Sequence, residues 1–247
     1  MGALKVATEQ MAAVPVARAA LWEDFIDIFF APASVFARRA ASSVWPPMLV
    51  VAVLFGALFY MNSGVLQPVF DGDFNRGIAA AVRANPRLTP EMVERLRTFG
   101  QQFALIGGVL FMPIATLCTG TALWLIGKLL AARQTYRAAL VVTAYSYVPK
   151  ILEAVLNGLQ GLLLDPAQLN GRFRLTLGAG RFFDPDVTSP MLLAVIGRID
   201  VFTIWVTVLL AIGLAVTGGV PRARAFAAAP LIWLVGALPL IVQAMRQ

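Results

Sequence analysis

The sequence predicts an all-α, polytopic membrane protein with a five-helix transmembrane bundle and an N-terminal amphipathic interfacial helix. Three observations predict this class. Hydrophobic residues make up 59% of the 247 residues and charged residues only 13%, whereas apolar residues make up about 45–50% of a typical soluble domain. Five stretches approach the roughly 20 apolar residues that a helix needs to cross a bilayer. Finally, residues 21–30 combine an apolar stripe with acidic residues, which indicates a helix lying along the membrane interface.

Turn signals and charged connections separate the five predicted spans. The first span begins near Pro46 and Pro47, which suit the first turn of a helix. In chain order, the spans cover about residues 44–60, 103–126, 138–164, 201–216 and 225–242. The chain is thereby divided into a cytoplasmic tail with the amphipathic helix, residues 1–43, and a five-span membrane domain, residues 44–247.

Two of the connections have patterns of their own. Residues 88–99 place Thr89 as a helix cap and Pro90 at the first helical position, so they predict a helix that runs directly into the second span. Residues 171–184 alternate around a glycine-rich turn and predict a small β-hairpin.

Basic residues in the short connections predict the orientation of the chain. Lys128, Arg133 and Arg137 lie between the second and third spans, and Arg222 and Arg224 follow the fourth. Because short cytoplasmic loops are enriched in Lys and Arg, we expect a cytoplasmic N-terminus and an external C-terminus. The net charge of +7 is spread between apolar runs, which fits contact with the lipid bilayer and its anionic headgroups rather than with nucleic acid.

The amphipathic helix at residues 21–30 is a candidate interface with a partner. Its polar face carries Glu23, Asp24 and Asp27, and an acidic face is unsuited to anionic lipid. We therefore expect the helix to pack against the bundle or a partner protein. Its candidate interface residues are Trp22, Phe25, Ile26, Phe29 and Phe30.

A polar seam along the third predicted span is the main candidate site. Lys150 and Glu153 lie near mid-span, where an isolated charge is costly, so we expect them to pair with each other. Polar residues recur at intervals of three or four, which places them on one helical face. The seam consists of Thr143, Ser146, Lys150, Glu153, Asn157 and Gln160. Pro149 predicts a helix kink within the seam, and the fourth span offers a facing stripe of Asp200, Thr203 and Thr207.

Two interpretations of this seam remain open. Polar groups within a membrane bond neighbouring helices together, which is the structural interpretation. Ionisable groups at mid-membrane also mark paths for protons, ions or small solutes, which is the functional interpretation.

The residue types exclude several kinds of catalytic site. The chain has no histidine and one cysteine, Cys118, which excludes histidine-based catalysis, Cys/His zinc sites and an intrachain disulfide. No nucleophile stands beside a candidate base, and the acidic pairs lie in loops beside basic residues. The sequence therefore predicts no enzyme activity, no metal site and no cofactor.

Several local patterns together resemble a known family. The first span is preceded by DIFFAPASVF, and the third contains TYRAALVVTAYSYVPKILEAV. The fourth contains IDVFTIWVTVLLAIGLAV, and the fifth follows with RARAFAAAPLIWLV. With Pro149 after an alanine- and tyrosine-rich helix and Trp205 early in the fourth span, residues 23–240 resemble the Yip domain family, the Ypt-interacting proteins.

The resemblance implies an architecture and a set of candidate roles. Members of the family share a cytoplasmic N-terminus and five clustered spans, and eukaryotic relatives bind prenylated Rab-type GTPases and shape or sort membranes of the early secretory pathway. The arginine-rich, short-tailed chain looks like a bacterial member, for which the GTPase role does not transfer. Some bacterial relatives accompany ABC-type exporters as accessory membrane subunits.

The predicted function is that of a non-enzymatic, multi-pass scaffold or accessory subunit of a membrane transport or trafficking assembly in the bacterial inner membrane. Its expected partners are other integral membrane proteins, an ABC-type exporter among them, and a second copy of the chain in a homo-oligomer. One alternative is a small transporter or ion-coupled permeation unit that uses the seam. Another alternative is a membrane-shaping protein.

Overall fold

The computed structural model of the chain describes residues 20–85 and 87–245, and these residues form helices and loops without a β-strand. Five of the helical stretches are long and apolar enough to cross a membrane. The predicted all-α, five-span architecture is therefore confirmed. In chain order, the five stretches are Trp45–Asn62, Ile106–Leu129, Tyr136–Leu163, Val201–Gly218 and Arg222–Ala244.

The helices are labelled in chain order, and the third and fifth spans each consist of two helices. They are α1 (Leu21–Phe30), α2 (Pro32–Arg39), α3 (Trp45–Asn62), α4 (Gln67–Ala84), α5 (Pro90–Leu129), α6 (Tyr136–Ser146), α7 (Val148–Leu163), α8 (Pro190–Ile196), α9 (Val201–Gly218), α10 (Arg222–Ala227) and α11 (Ala229–Ala244).

Hydroxyl caps set the starts of two of the spanning helices. The Thr89 side chain accepts a hydrogen bond from the backbone N–H of Met92 at 3.3 Å, and Thr135 accepts one from Ala138 at 3.2 Å. Each cap satisfies a donor that the first turn of a helix leaves unpaired. From Pro90, α5 continues through the second span as one helix of 40 residues.

The third span is interrupted at Tyr147, between α6 and α7. The backbone there leaves the regular helix, with φ −87° and ψ −3°. Pro149 has no backbone N–H and cannot bond to the carbonyl of Tyr145. The backbone N–H of Lys150 instead bonds to the carbonyl of Tyr147 at 2.9 Å, and the helix resumes from there.

The core of the bundle lies where α6 and α9 pack together. Residues 138–146 of α6 are all buried. Gly213 of α9 faces Val142, and a Cβ atom at Gly213 would overlap that side chain. Small residues allow helix backbones to approach closely within a membrane, so Gly213 brings α9 directly against α6.

The two ends of the bundle differ in the length of their connections. The short-loop end carries the connections at residues 130–135 and 219–221. The long-loop end carries α4 and the connection at residues 164–200. A small core of Leu66, Val69, Leu169 and Leu175 joins α4 to that connection.

The predicted β-hairpin at residues 171–184 is wrong. These residues form two short 3-10 helices, Arg172–Arg174 and Ala179–Phe182. Between them, Gly178 pairs with Asp200 in an isolated antiparallel bridge. The backbone of the segment thus bonds to the start of α9 instead of to the other half of a hairpin.

The helices α1 and α2 fold back on each other and lie against the side of the bundle. The Phe29 ring packs edge-on against Trp205 of α9, with 5.4 Å between ring centroids. Asp24 of α1 accepts a hydrogen bond from the Tyr145 hydroxyl of α6. Tyr145 lies nine residues after Tyr136, the first residue of the third span, or about 14 Å along the helix at 1.5 Å per residue. The predicted interfacial helix therefore packs along the bundle rather than across its end.

Candidate functional site

The sharp turn between α1 and α2 brings acidic and basic side chains together. The Ala31 N–H bonds to the carbonyl of Asp27 at 2.7 Å and ends α1. Pro32 then starts α2, as proline suits a first helical turn. Because α2 runs back along α1, its last residues, Arg38 and Arg39, reach the carboxylates of α1.

These side chains form a cluster around the buried Asp24 carboxylate, named here the N-terminal cluster: Asp24, Asp27, Arg38, Arg39 and Tyr145. The fully buried Asp24 carboxylate accepts hydrogen bonds from Nε of Arg38 and Nε of Arg39, each at 2.6 Å. It also accepts one from the Tyr145 hydroxyl at 3.0 Å. Arg38 donates a further bond to Asp27 at 2.5 Å. Two carboxylates thus face two guanidinium groups.

Ion pairs with Asp24 and Asp27 favour the charged form of Arg38. Burial of Arg38 disfavours its charge, but hydrogen bonds to Asp27 and Asp24 outweigh this effect and raise its pKa. A buried charge is tolerated when it is paired and hydrogen-bonded. The N-terminal cluster therefore fixes the helix pair α1–α2 to α6.

The apolar residues of α1 divide between two surfaces. Phe25 packs against the Tyr145 ring at 5.7 Å between centroids, and Phe29 packs against Trp205. The expected single face is thus divided, and Phe25 and Phe29 are engaged within the chain. The residues left outward are Trp22, Ile26 and Phe30, which are 65%, 51% and 84% exposed. They are four residues apart and form one stripe, named here the α1 stripe.

The sequence reasoning missed the N-terminal cluster. It placed Asp24 with Glu23 and Asp27 on one polar face, without predicting that Asp24 is fully buried. It used basic charge to orient the chain and to infer contact with anionic lipid. A signal was present in the pairing of acids before Pro32 with two consecutive arginines after it.

A second group of charged and polar residues lies where the third, fourth and fifth spans approach each other. It is named here the central cluster and consists of Tyr147, Lys150, Glu153, Arg198 and Asp200. Nζ of Lys150 lies 2.5 Å from Oε2 of Glu153 in an ion pair. The Asp200 carboxylate also acts electrostatically on Glu153.

Arg198 enters the central cluster from the segment before α9. Its guanidinium lies over the Trp233 ring at 5.5 Å and bonds to the Trp233 carbonyl at 3.2 Å. Gly236 makes room for it, since a Cβ atom there would lie 2.7 Å from Nη2. Burial lowers the pKa of Arg198, and the negative charge of Asp200 opposes this effect. Its Nε is buried and has no hydrogen-bond partner among the described residues.

The remaining residues of the predicted seam bond locally. The hydroxyls of Thr143 and Ser146 are fully buried and donate to the carbonyls of Ala139 and Val142, at 2.9 and 2.8 Å. Gln160 donates to the carbonyl of Leu175 at 2.9 Å. Asn157 is half-buried. Hydrogen bonds among the described residues therefore do not link the six seam residues into one chain.

The predicted facing stripe on the fourth span also bonds within its own helix. Asp200 caps α9 by accepting from the backbone N–H groups of Phe202 and Thr203, at 2.9 and 3.1 Å. Thr207 donates to the carbonyl of Thr203 at 2.8 Å. Other residues bond the third span to its neighbours: Asn62 of α3 donates to the carbonyl of Ala154 at 2.9 Å, and the hydroxyls of Tyr147 and Thr119 of α5 bond at 2.7 Å.

The described residues show no cluster of three or more Cys, Asp or Glu that could hold a metal ion. Cys118 is exposed on the surface of the second span. Each charged cluster contains ion pairs, between Asp24 and two arginines in the first and between Lys150 and Glu153 in the second.

Sequence comparison places the chain among known proteins. The sequence model of the Yip1 domain matches residues 26–243, which include both clusters except for Asp24. The chain belongs to the Yip1 domain family. This Yip1-family protein is also similar to the membrane protein YknW of Bacillus subtilis strain 168, with 26% identity over 213 residues that cover 83% of each chain. No solved structure matches the chain. The predicted family is confirmed, and the protein is a multi-pass membrane protein.

Proposed function

We propose that this Yip1-family protein is a non-enzymatic scaffold or accessory subunit of a membrane transport or trafficking assembly. The α1 stripe is the surface with which it binds an integral membrane partner. The observation that carries the proposal is that the same short helix carries an exposed apolar stripe and a fully buried Asp24 that two arginines of α2 bind.

The N-terminal cluster supports this role because it fixes α1 before a partner arrives. A helix of 10 residues is marginal by itself, but Asp24, Phe25 and Phe29 anchor this one to the bundle. Prearranged side chains lose little conformational entropy on binding. Aromatic residues such as Trp22 are also enriched among those that dominate interface affinity.

The orientation belongs to the same proposal. Lys128, Arg133, Arg137, Arg222 and Arg224 all lie at the short-loop end, which the positive-inside rule assigns to the cytoplasm. We therefore place the protein in a bacterial inner membrane with its N-terminus inside and its C-terminus outside. The first partner to test is an ABC-type exporter, and a second copy of the chain is the competing occupant of the stripe.

Co-purification from native membranes in mild detergent tests the α1 stripe. The variant W22A/I26A/F30A removes the stripe. Its matched control is I106A/L110A/I114A, which has the same spacing and comparably exposed side chains on α5. Loss of a central aromatic anchor costs about 2 kcal/mol or more, so retention of the partner should fall at least tenfold with the first variant only. Equal retention by both variants contradicts the proposal.

One observation favours a second function, a proton or ion path through the central cluster. Nε of Arg198 is buried without a hydrogen-bond partner among the described residues, and such an atom is a place for bound water. In a Cys118→Ala background, a cysteine placed at Asn157 tests this function, with one at Leu159 as the lipid-facing control. Reaction of only the first with a water-soluble thiol reagent supports a wet path, whereas protection of both contradicts it.

A further inference from the structure

The long-loop end contains a charged pocket that neither cluster includes. Its volume is about 480 Å³, and it lies between α4, the 164–200 connection and the end of α11. Three arginines and two aspartates line it: Arg76, Arg83, Arg172, Asp73 and Asp186. The lining thus has an excess of positive charge.

The arginines of this pocket differ in how they are paired. Arg76 bonds to Asp73 at 2.8 Å, to Asp186 at 3.1 Å and to the carbonyl of Asn170 at 2.5 Å, so both aspartates are engaged by Arg76. Nε of Arg172 is 3.8 Å from Asp73, and its side chain is about half exposed. Arg83 is exposed and makes no hydrogen bond or ion pair with the described residues. Arg83 is thus open to an anion, and Arg172, which lies over the Phe173 ring at 5.3 Å and 3.8 Å from Asp73, keeps about half of its side chain exposed.

An apolar slot leads out of the pocket between α4 and α11. The slot has a volume of about 320 Å³ and shares Ala80 and Gln243 with the pocket. Gly77 and Ala84 line it on the α4 side, and Val242 lines it on the α11 side. α11 belongs to the fifth span, and its Leu238 and Val242 side chains are exposed on the surface of the bundle. The slot therefore joins the arginine-lined pocket to the lipid-facing surface.

We infer that this site binds an anionic phospholipid, with its phosphate between Arg83 and Arg172 and an acyl chain in the slot. Guanidinium groups bind phosphate by charge-assisted hydrogen bonds, and a basic pocket between membrane helices suits a lipid headgroup. A soluble anion would use the pocket but not the slot. The adjoining apolar slot therefore favours a lipid over free phosphate.

Thermal unfolding of the full-length protein in mild detergent tests this inference. The probes are phosphatidylglycerol, phosphatidylcholine and inorganic phosphate, each titrated separately. We expect phosphatidylglycerol to raise the unfolding temperature at lower concentrations than phosphatidylcholine, and inorganic phosphate to leave it unchanged. Equal effects of the two lipids overturn the assignment of the headgroup, and an effect of phosphate that matches phosphatidylglycerol overturns the assignment of a lipid.

Charge-removing variants locate the headgroup. Each lost charge-assisted bond lowers affinity about tenfold or more, so the variant R83Q/R172Q should weaken phosphatidylglycerol binding about 100-fold. The control R87Q/R95Q removes the same charge from exposed positions of the described chain that do not line the pocket. Unchanged binding by R83Q/R172Q overturns the inference.

A slot-filling variant tests the acyl chain without altering charge. A Cβ atom at Gly77 would meet nothing within 4 Å, so Gly77→Leu adds an apolar side chain to the slot from an open position. Gly64→Leu is the control, because a Cβ atom there also meets nothing and the residue lies outside the slot. We expect a tenfold loss of phosphatidylglycerol affinity in Gly77→Leu only. Equal affinity of the two variants overturns the assignment of the slot.

Discussion

Replacement of Asp24 by asparagine tests whether the N-terminal cluster holds α1 on the bundle. The fully buried carboxylate accepts three hydrogen bonds, two from arginines and one from Tyr145. Asparagine retains the size and one acceptor oxygen but removes the charge. The substitution therefore leaves two guanidinium groups facing a neutral side chain.

The expected loss of stability follows from the geometry of the cluster. Removing one partner of a buried ion pair costs about 3–5 kcal/mol. The lower end applies here because Arg38 keeps its bond to Asp27, and the side chains of Arg38 and Arg39 are 28% and 21% exposed. We expect Asp24→Asn to lower the free energy of unfolding by about 3 kcal/mol, or the unfolding temperature by about 6–12 °C for a chain of this length.

Thermal unfolding in mild detergent, followed by tryptophan fluorescence, measures the effect. Asp27→Asn is the matched control, since the Asp27 side chain is 40% exposed and bonds only to Arg38 among the described residues. We expect this control to lower the free energy of unfolding by less than about 1 kcal/mol. Tyr145→Phe should cost about 1.5–3 kcal/mol, because the lost hydrogen bond is made to a charged carboxylate. If Asp24→Asn and Asp27→Asn unfold at the same temperature, Asp24 does not anchor the helix.

Three further predictions concern the bundle itself. Lys150→Met and Glu153→Gln should each lower the free energy of unfolding by about 2–3 kcal/mol, and the double variant should recover it. If the double variant also restores growth of the native host, the pair is structural. If the variants keep their stability but lose growth, the pair is a working site. Gly213→Ala should lower the unfolding temperature by the equivalent of about 1–3 kcal/mol through overpacking, whereas Gly107→Ala, with open space around it, should not lower it. Thr89→Ala should lower stability by about 1 kcal/mol through loss of the α5 cap, as measured by the same thermal assay.

The spans could be predicted because a bilayer imposes a simple requirement on sequence. Every backbone group must be bonded within the helix and about 20 apolar residues must be continuous, so hydropathy alone indicates five spans. The family resemblance was also visible, since its patterns lie in these apolar segments. In contrast, α4 was not predicted, because Asp71, Gly72 and Asp73 interrupt its apolar pattern within two turns.

The buried position of Asp24 could not be predicted from the periodicity of α1. An acidic residue on an amphipathic helix ordinarily faces water, and the pattern of α1 gives no information on what packs against it. Its burial depends on arginines beyond a turn and on a tyrosine 121 residues away. The same limit applies to the seam: the spacing identified its polar residues, but only the packed structure shows that Thr143 and Ser146 bond within their own helix.

The most direct test of the proposed function is site-specific photo-crosslinking in native membranes from a photoreactive residue at Ile26, with one at Leu110 as the lipid-facing control. If the α1 stripe binds a partner, position 26 should give one discrete adduct that mass spectrometry identifies as an integral membrane protein, and Asp24→Asn should weaken it. Position 110 should give only lipid adducts. Only lipid adducts from position 26, or the same protein adducts from both positions, would contradict the proposal that α1 presents a partner-binding surface.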